Sequence, residues 1–282
     1  MRYVVFEAGS RAGFSTELFF SEYQEQTKND DTLVMVDADE TFSLLECRPK
    51  ITRMSEKRVV DGFFGKGDVI FPADELTRQH NPIVREFASN NRFSAIGEWF
   101  YDKAAVNCRL HSTTCISVPE VFRTNRVFIR PNTMSAGSKG CYMANNVCVS
   151  EYIPIRHEYV VDCLERDGDL SVFAREVVLK NGYDKYVCLI PMQSPFCEKV
   201  KDFVLSNDIG LFKGIFHLQL AEGENGRLYY IESSKRISGT SCVNMVRGFN
   251  PFFFMNGIEH KVRATHLESK WMRYESLLTY KM

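Results

Sequence analysis

Three short runs in the first hundred residues are apolar almost throughout, and each is followed by a turn or a helical pattern. RYVVFEAG (residues 2–9) ends in a glycine and leads through the loop SRAG into FSTELFFSEYQEQ, where Phe14, Leu18 and Phe19 recur at helical spacing. TLVMVDAD (residues 32–39) is a second such run and GDVIFPADE (residues 67–75) a third, followed by a helical stretch over residues 75–88; FSAIG from Phe93 supplies a fourth. A strand that is apolar on both faces needs cover on both faces, and crossover helices provide it. The pattern therefore predicts a small parallel α/β sheet at the N-terminal end.

After about residue 98 the rhythm changes. DKAAVNCRLHST (residues 102–113) reads as a helix opened by an aspartate, and VFIRP (127–131) and VCVSEYIP (147–154) read as strands flanking the small-residue loop NTMSAGSKG. Two strands joined by a turn at Asp167, Gly168 and Asp169 follow, then a helix over residues 196–206. GIFHLQLAEGENGRLYYIES reads as a hairpin around Glu224, Asn225 and Gly226, and the last forty residues look mixed and largely helical. The expected class is thus α/β, becoming α+β in the C-terminal part.

With 282 residues, 44% of them hydrophobic, the chain can bury one large core or a few small ones that share interfaces. Lys and Arg number 35 against 36 Asp and Glu, so no basic excess points to nucleic acid. No run of about 18 apolar residues argues for a membrane span. The opening MRYVVFEAGS is interrupted by Glu7 before a signal-peptide core could form. The nine cysteines are odd in number, contain no CxxC pair and lie mostly among apolar residues, which suits reduced core thiols in a cytoplasmic protein. The six histidines offer no HExxH spacing, so zinc is not expected.

Several groups of residues carry chemistry. Arg130 ends a strand and precedes Ser135, Ala136, Gly137, Ser138, Lys139 and Gly140, a loop whose backbone amides can approach an anion, although it does not match GxxxxGK[ST] and also suits a plain hairpin tip. Glu151 and Glu158 stand seven residues apart across Pro154 and can face one crevice or be edge-strand charges. In the hairpin, Gln219 and Glu232 fall near the same level with Ser234 beside them. That oxygen-rich set suits Mg2+, and Lys235 and Arg236 are placed for a transferring phosphate; plain edge charges are the alternative. Gly9 and Gly13 do not form GxGxxG, so with Asp37 and Asp39 they give only weak support to a nicotinamide site.

The order of these elements resembles the ATP-grasp superfamily over about residues 2–260, in the manner of carboxylate-amine ligases and the carbamoyl phosphate synthetase large-subunit type. The resemblance implies a pre-ATP-grasp domain over residues 1–97, a lid subdomain with the glycine-rich loop over 98–153 and a C-terminal subdomain with the metal hairpin over 154–282. It implies that Lys103 lies near the nucleotide and that Arg130 stands where the family has the lysine of a KP pair. Ser135, Gly137, Ser138 and Lys139 match the loop that closes over the phosphates. Glu151, Tyr152 and Ile153 match the hinge strand at the adenine edge, and Glu158 the acid that holds the ribose hydroxyls. Arg130, Arg175 and Arg236 would contact the transferred phosphoryl group or an acyl phosphate; Gln219, Glu232 and Ser234 would hold the metal. One departure is clear: the family's E-x-N-x-R reads ESSKR here, with Ser234 in place of the asparagine. A hydroxyl is a poorer ligand than an amide oxygen, so the second metal ion is expected to be weakly held, bound through water or absent.

The implied activity is an ADP-forming carboxylate-amine ligase using ATP and Mg2+, with Mn2+ as an alternative ion. Its expected partners are a small carboxylate and an amine, an amino acid or peptide end; a homodimer is left open, and neither nucleic acid nor membrane is expected. A nucleotide-binding sensor with weakened metal chemistry is the alternative. The substrates are expected between residues 9–14, 73–75 and 239–241, at the carboxyl ends of the parallel strands, with Arg11 and Arg247 available for a second carboxylate.

Overall fold

The computed structural model describes residues 1–39, 48–74, 76–89, 98–129, 142–180, 184–258 and 270–272. Its N-terminal layer holds β1 (Arg2–Val5), β2 (Thr32–Asp37), β3 (Ile51–Ser55) and β4 (Asp68–Ile70), all parallel, in the order β3-β2-β1-β4. The segment ITRMS at the β3 edge is not among the expected strands, because its exposed Thr52 and its Arg53 break the apolar run that marks the others. The expected strand from Phe93 lies outside the described residues.

Helix α1 (Arg11–Thr27) begins where the Ser10 hydroxyl accepts from the Gly13 N–H, and it ends at Lys28 in the left-handed region. Gly13 is required there: a Cβ would lie 2.3 Å from the Ala8 carbonyl oxygen. The single helix expected over residues 75–88 is divided into α2 (Leu76–His80) and α3 (Pro82–Ser89). Asn81 causes the break, since its side-chain oxygen accepts from the N–H groups of Ile83 at 3.1 Å and Val84 at 3.3 Å while Pro82 provides none. Tyr3 and Val5 pack on Phe19, Phe20 and Tyr23 of α1, and Val4 and Phe6 on Val84 and Ala88 of α3, so both faces of the layer are covered.

The larger sheet runs β13-β10-β9-β8-β11-β12-β5. Its members are β5 (Ile116–Ser117), β8 (Ile155–Arg166), β9 (Asp169–Lys180), β10 (Asp184–Leu189), β11 (Gly214–Gly223), β12 (Leu228–Ser234) and β13 (Lys270–Met272), antiparallel except where β5 meets β12. A separate hairpin pairs β6 (Val121–Ile129) with β7 (Tyr142–Ser150). The turns fall where the sequence pattern puts them, with Asp167, Gly168 and Gly226 at positive φ. Helix α4 (Lys103–Asn107) is shorter than residues 102–113. Beyond it the Asn207 side chain pairs with the backbone N–H and C=O of His111, satisfying a segment that leaves the helix.

The strands of the larger sheet alternate, and the two faces differ. Val161 and Cys163 of β8, Val172 and Ala174 of β9, and Phe216, Leu218 and Leu220 of β11 form one core against Val200, Phe203 and Val204 of α5 (Pro195–Ser206). On the other face Leu164, Phe173 and Ile215 join the core of the N-terminal layer. That joint is closed by Phe249 and by Phe252 and Phe253 of α6 (Pro251–Met255), whose aromatic rings pack on Tyr3, Phe19 and Tyr23. The two layers thus meet through Leu164, Phe173 and Ile215 on that face, and further along the strands the same face carries most of the sheet's polar residues.

Candidate active site on the polar half of the sheet

Register places the polar residues. Glu232 of β12 is directly opposite Gln219 of β11, and Ser234 is opposite His217. Gln219 is in turn opposite Val160 of β8, itself opposite Arg175 of β9; His217 is opposite Asp162, and Ala221 opposite Glu158. The period of two therefore puts Glu158, Asp162, Arg175, His217, Gln219, Glu232 and Ser234 on one face, in rows about 7 Å apart along the strands. Residue 231 is bulged out between the register pairs Gln219–Glu232 and Leu220–Tyr230, which keeps Tyr230 in the α5 core while turning Glu232 to the polar side.

Lys103 reaches this face from the first turn of α4, whose start is fixed by the Asp102 carboxylate accepting from the Ala105 N–H. Its Nζ lies 2.5 Å from Oε2 of Glu232. Burial alone would raise the Glu232 carboxyl, but the hydrogen bond and charge of the Lys103 ammonium, with the Arg236 charge, outweigh it and hold the group below its ordinary range. An ionised carboxylate that draws an ammonium, on a residue directly opposite a glutamine with Cβ atoms about 5 Å apart across the ladder, fits a hard cation such as Mg2+.

Beneath this pair lies a closed polar network. Arg175 donates from Nη1 to Oδ2 of Asp162 at 2.6 Å, with both side chains wholly buried. It also donates to Thr240 at 2.6 Å and to the Ser238 hydroxyl, while Asp162 accepts from the Ser238 N–H at 3.2 Å and from Asn244 at 2.8 Å. The pair therefore fixes the segment that follows β12. Backbone bonds carry that segment onto the N-terminal layer: the Ile237 N–H donates to the Pro72 carbonyl at 2.9 Å, and Arg78 donates to the Lys235 carbonyl at 3.0 Å.

Other expected residues are placed differently. Lys235 does not accompany Arg236: it is buried, its Nζ donates to the Gly210 carbonyl at 3.2 Å, and burial lowers its pKa to about 7. The strand alternation that turns Ser234 to the polar face sends Lys235 the other way. Arg236 is half-buried and donates to the Ile237 carbonyl, and its charge acts on Glu232, His217, Glu7 and Asp74. Glu151, Tyr152 and Ile153 lie in the connection between β7 and β8, not in a strand, and Tyr152 is 85% exposed. Arg247 is buried with its donors on the carbonyls of Ile190 and Ala174, so it does not front a substrate. Arg130, Ser135, Gly137, Ser138 and Lys139 lie outside the described residues.

Sequence reasoning passes over His217, Asp162 and Glu7, and reaches Asp74 only as part of the 73–75 strand end. The first two are legible as polar residues in alternation with Gln219 and Glu158 on otherwise apolar strands. His217 is buried; its Nδ1 is 3.0 Å from the Arg236 carbonyl, and burial followed by the Arg236 charge lowers its pKa to about 4.

No protein-family model and no curated protein matches the chain. Solved structures do. N5-carboxyaminoimidazole synthetase from Staphylococcus aureus matches 92% of this chain and 78% of its own at 15% identity, with a TM-score of 0.63; the same synthetase complexed with ADP gives 0.62. A protein described as of the ATP-grasp superfamily from Archaeoglobus fulgidus matches over 93% of this chain and 89% of its own, at 14% identity and a TM-score of 0.58. L-amino acid ligase from Bacillus licheniformis matches over 93% of this chain and 77% of its own, at 12% identity and a TM-score of 0.52. A parallel layer joined to a long antiparallel sheet, matched in this way over nearly the whole chain, makes this an ATP-grasp fold.

Proposed function

We propose that the protein is an ATP-dependent, ADP-forming ligase that joins a small carboxylate to an amine through an acyl phosphate. The observation that supports this reading is the single sheet face on which Glu158, Gln219 and Glu232 converge with Lys103 reaching over them. Phosphoryl transfer needs positioning and charge neutralisation more than covalent help, and this face offers both. Gln219 and Glu232 would hold Mg2+, which would supply charge neutralisation for the transferring group.

The chain's own residues take the following parts. Glu158, one row along from Gln219, accepts the ribose hydroxyls, and the 151–153 connection meets the adenine edge. Lys103, paired with Glu232 and with its side chain 67% exposed, reaches the phosphates. Arg236 contacts the acyl phosphate. Arg175, wholly buried, acts by holding Ser238 and Thr240 in place and not by touching phosphate.

The test is coupled release of ADP from ATP, measured with pairs drawn from panels of amino acids and small carboxylic acids. Release that requires both one acid and one amine is expected. ATP binding without stimulation by any pair would overturn the ligase and leave a nucleotide sensor, the reading that Ser234 in place of asparagine favours. Protection of the fold by ATP should depend on Mg2+ and be lost in Glu232→Gln; metal-independent protection, unaltered by that change, would decide for the sensor.

A further inference from the structure

The carboxyl edge of the parallel sheet carries an unusual concentration of acids. Strands β1 and β4 are adjacent and parallel, so the segments that follow them, carrying Glu7 and Asp74, leave the sheet at the same edge. Asp37 closes the neighbouring strand β2, accepting from the Gly9 N–H at 2.6 Å, and Glu56 follows β3. These are close enough for Asp74, Asp37 and Glu56 all to act on Glu7. Among the described residues neither Glu7 nor Asp74 forms an ion pair.

Asp74 is the floor of this edge, 2% exposed. Its Oδ1 accepts from the Thr77 N–H at 3.1 Å, but its buried Oδ2 has no hydrogen-bond partner. Arg78 is nearby, yet its Nε and Nη2 are directed at the carbonyl oxygens of Asp74 and Lys235. A buried carboxylate oxygen without a donor is costly, and native chains retain few of them. Burial raises both Asp74 and Glu7 above the usual carboxylate range. A cation delivered to this edge relieves both the missing donor and the mutual repulsion.

We propose that Glu7 and Asp74, with Asp37 and Glu56 around them, form a binding site for the primary ammonium group of a small amino compound. The four acids belong to four different strand ends. An ammonium presents three separate donors, which suits carboxylates carried by neighbouring strand ends. Arg236 borders the same edge, acting on Glu7 and Asp74 from one side and on Glu232 from the other. An amine held here is thus next to the position assigned to the acyl phosphate. In that sense the inference rests on the ligase reading and assigns its amine the N-terminal layer.

The site is tested without ATP or metal, by calorimetric titration and thermal shift with glycinamide, a cation, against N-acetylglycinamide, which lacks the ammonium. Glycinamide is expected to bind saturably and raise Tm, with the acetylated compound about tenfold weaker or more. Glu7→Gln is expected to weaken glycinamide by a similar factor. Asp74→Asn should do likewise while melting at or above the wild type, because it removes an unpaired buried carboxylate; a mutation that merely damaged the fold would lower Tm. Equal binding of the two compounds, no binding of glycinamide, or unchanged affinity in both variants overturns the site, as does stabilisation by MgCl2 alone that is lost in Glu7→Gln. Glycinamide binding together with failure of every acid and amine pair to release ADP would retain the site and reject the ligase. Amine-dependent ADP release unaffected by Glu7→Gln would do the reverse.

Discussion

The two faces of the long antiparallel sheet are built from the same strands, one residue out of phase, and they do opposite things. On the α5 side Val161, Cys163, Phe216, Leu218 and Leu220 form a core held by burial and packing. On the other side Glu158, Asp162, His217, Gln219 and Glu232 occupy the alternate positions. Polar groups there are tolerated because each buried one is paired, as Asp162 is with Arg175, Ser238 and Asn244, or because it lies at the open end of the face, as Glu232 does. A sheet that needed apolar residues on both faces for stability would have no room for a site; here α5 covers one face and the N-terminal layer covers the other only around Leu164, Phe173 and Ile215.

This contrast can be broken experimentally. The largest effect should come from Arg175→Met, which leaves Asp162 as an uncompensated buried charge; a loss of about 3–5 kcal/mol is expected in denaturant unfolding. Phe216→Ala on the apolar face should lose a similar amount, about 3–5 kcal/mol, yet leave ATP affinity unchanged where the protein remains folded. A fall in ATP affinity from Phe216→Ala would show that the faces are not independent. Glu232→Gln should behave in the opposite way, reducing ADP release by about 10²–10³-fold with little change in Tm, because the carboxylate would hold the cation that neutralises charge on the transferring group.

Asp74→Asn should stabilise by about 1–3 kcal/mol at neutral pH. The sign follows from the raised folded pKa: the native state prefers the protonated form, so the wild type loses stability as pH rises from the unfolded value through the folded one. The Tm difference between variant and wild type should therefore widen with rising pH over that window; a constant difference would separate the effect from the carboxyl group. The smallest change in stability should come from Lys103→Met, within about 1 kcal/mol, because the Lys103 side chain is 67% exposed and its pair with Glu232 is screened. Glu232 is lowered in the folded state, so what the pair does contribute is present above the ordinary carboxylate range and is lost as pH falls through the lowered value. Urea melts at two pH values would measure it.

Much of this architecture is legible in the residues themselves. The apolar runs at residues 2–9, 32–39 and 67–75 form β1, β2 and β4, because a strand buried on both faces leaves a simple signal. The β11–β12 hairpin and the opposition of Gln219 to Glu232 are legible because a tight turn fixes register. The edge strand β3 is not, since ITRMS is apolar only in part. Nor is the break at Asn81 and Pro82, where a capping side chain competes with a continuous helical pattern. Lys235 and Arg236 look alike as adjacent cations, and only the strand's alternation separates a buried lysine from a residue at the site.

The sequence alone determined the local elements and the residue types that chemistry requires, because propensity, turn chemistry and period act over a few neighbours. Tertiary structure decided which of those residues meet. Arg175, expected at a phosphate, is instead locked under Ser238 and Thr240, more than sixty residues away in the chain. Glu7, unremarkable in the sequence, and Asp74, expected only as part of a strand end, are brought to one edge because β1 and β4 pair in parallel across an intervening helix and two strands. Their burial, the unpartnered oxygen of Asp74 and the field of Arg236 are properties of that packing, since solvation and charge interact through space and not along the chain.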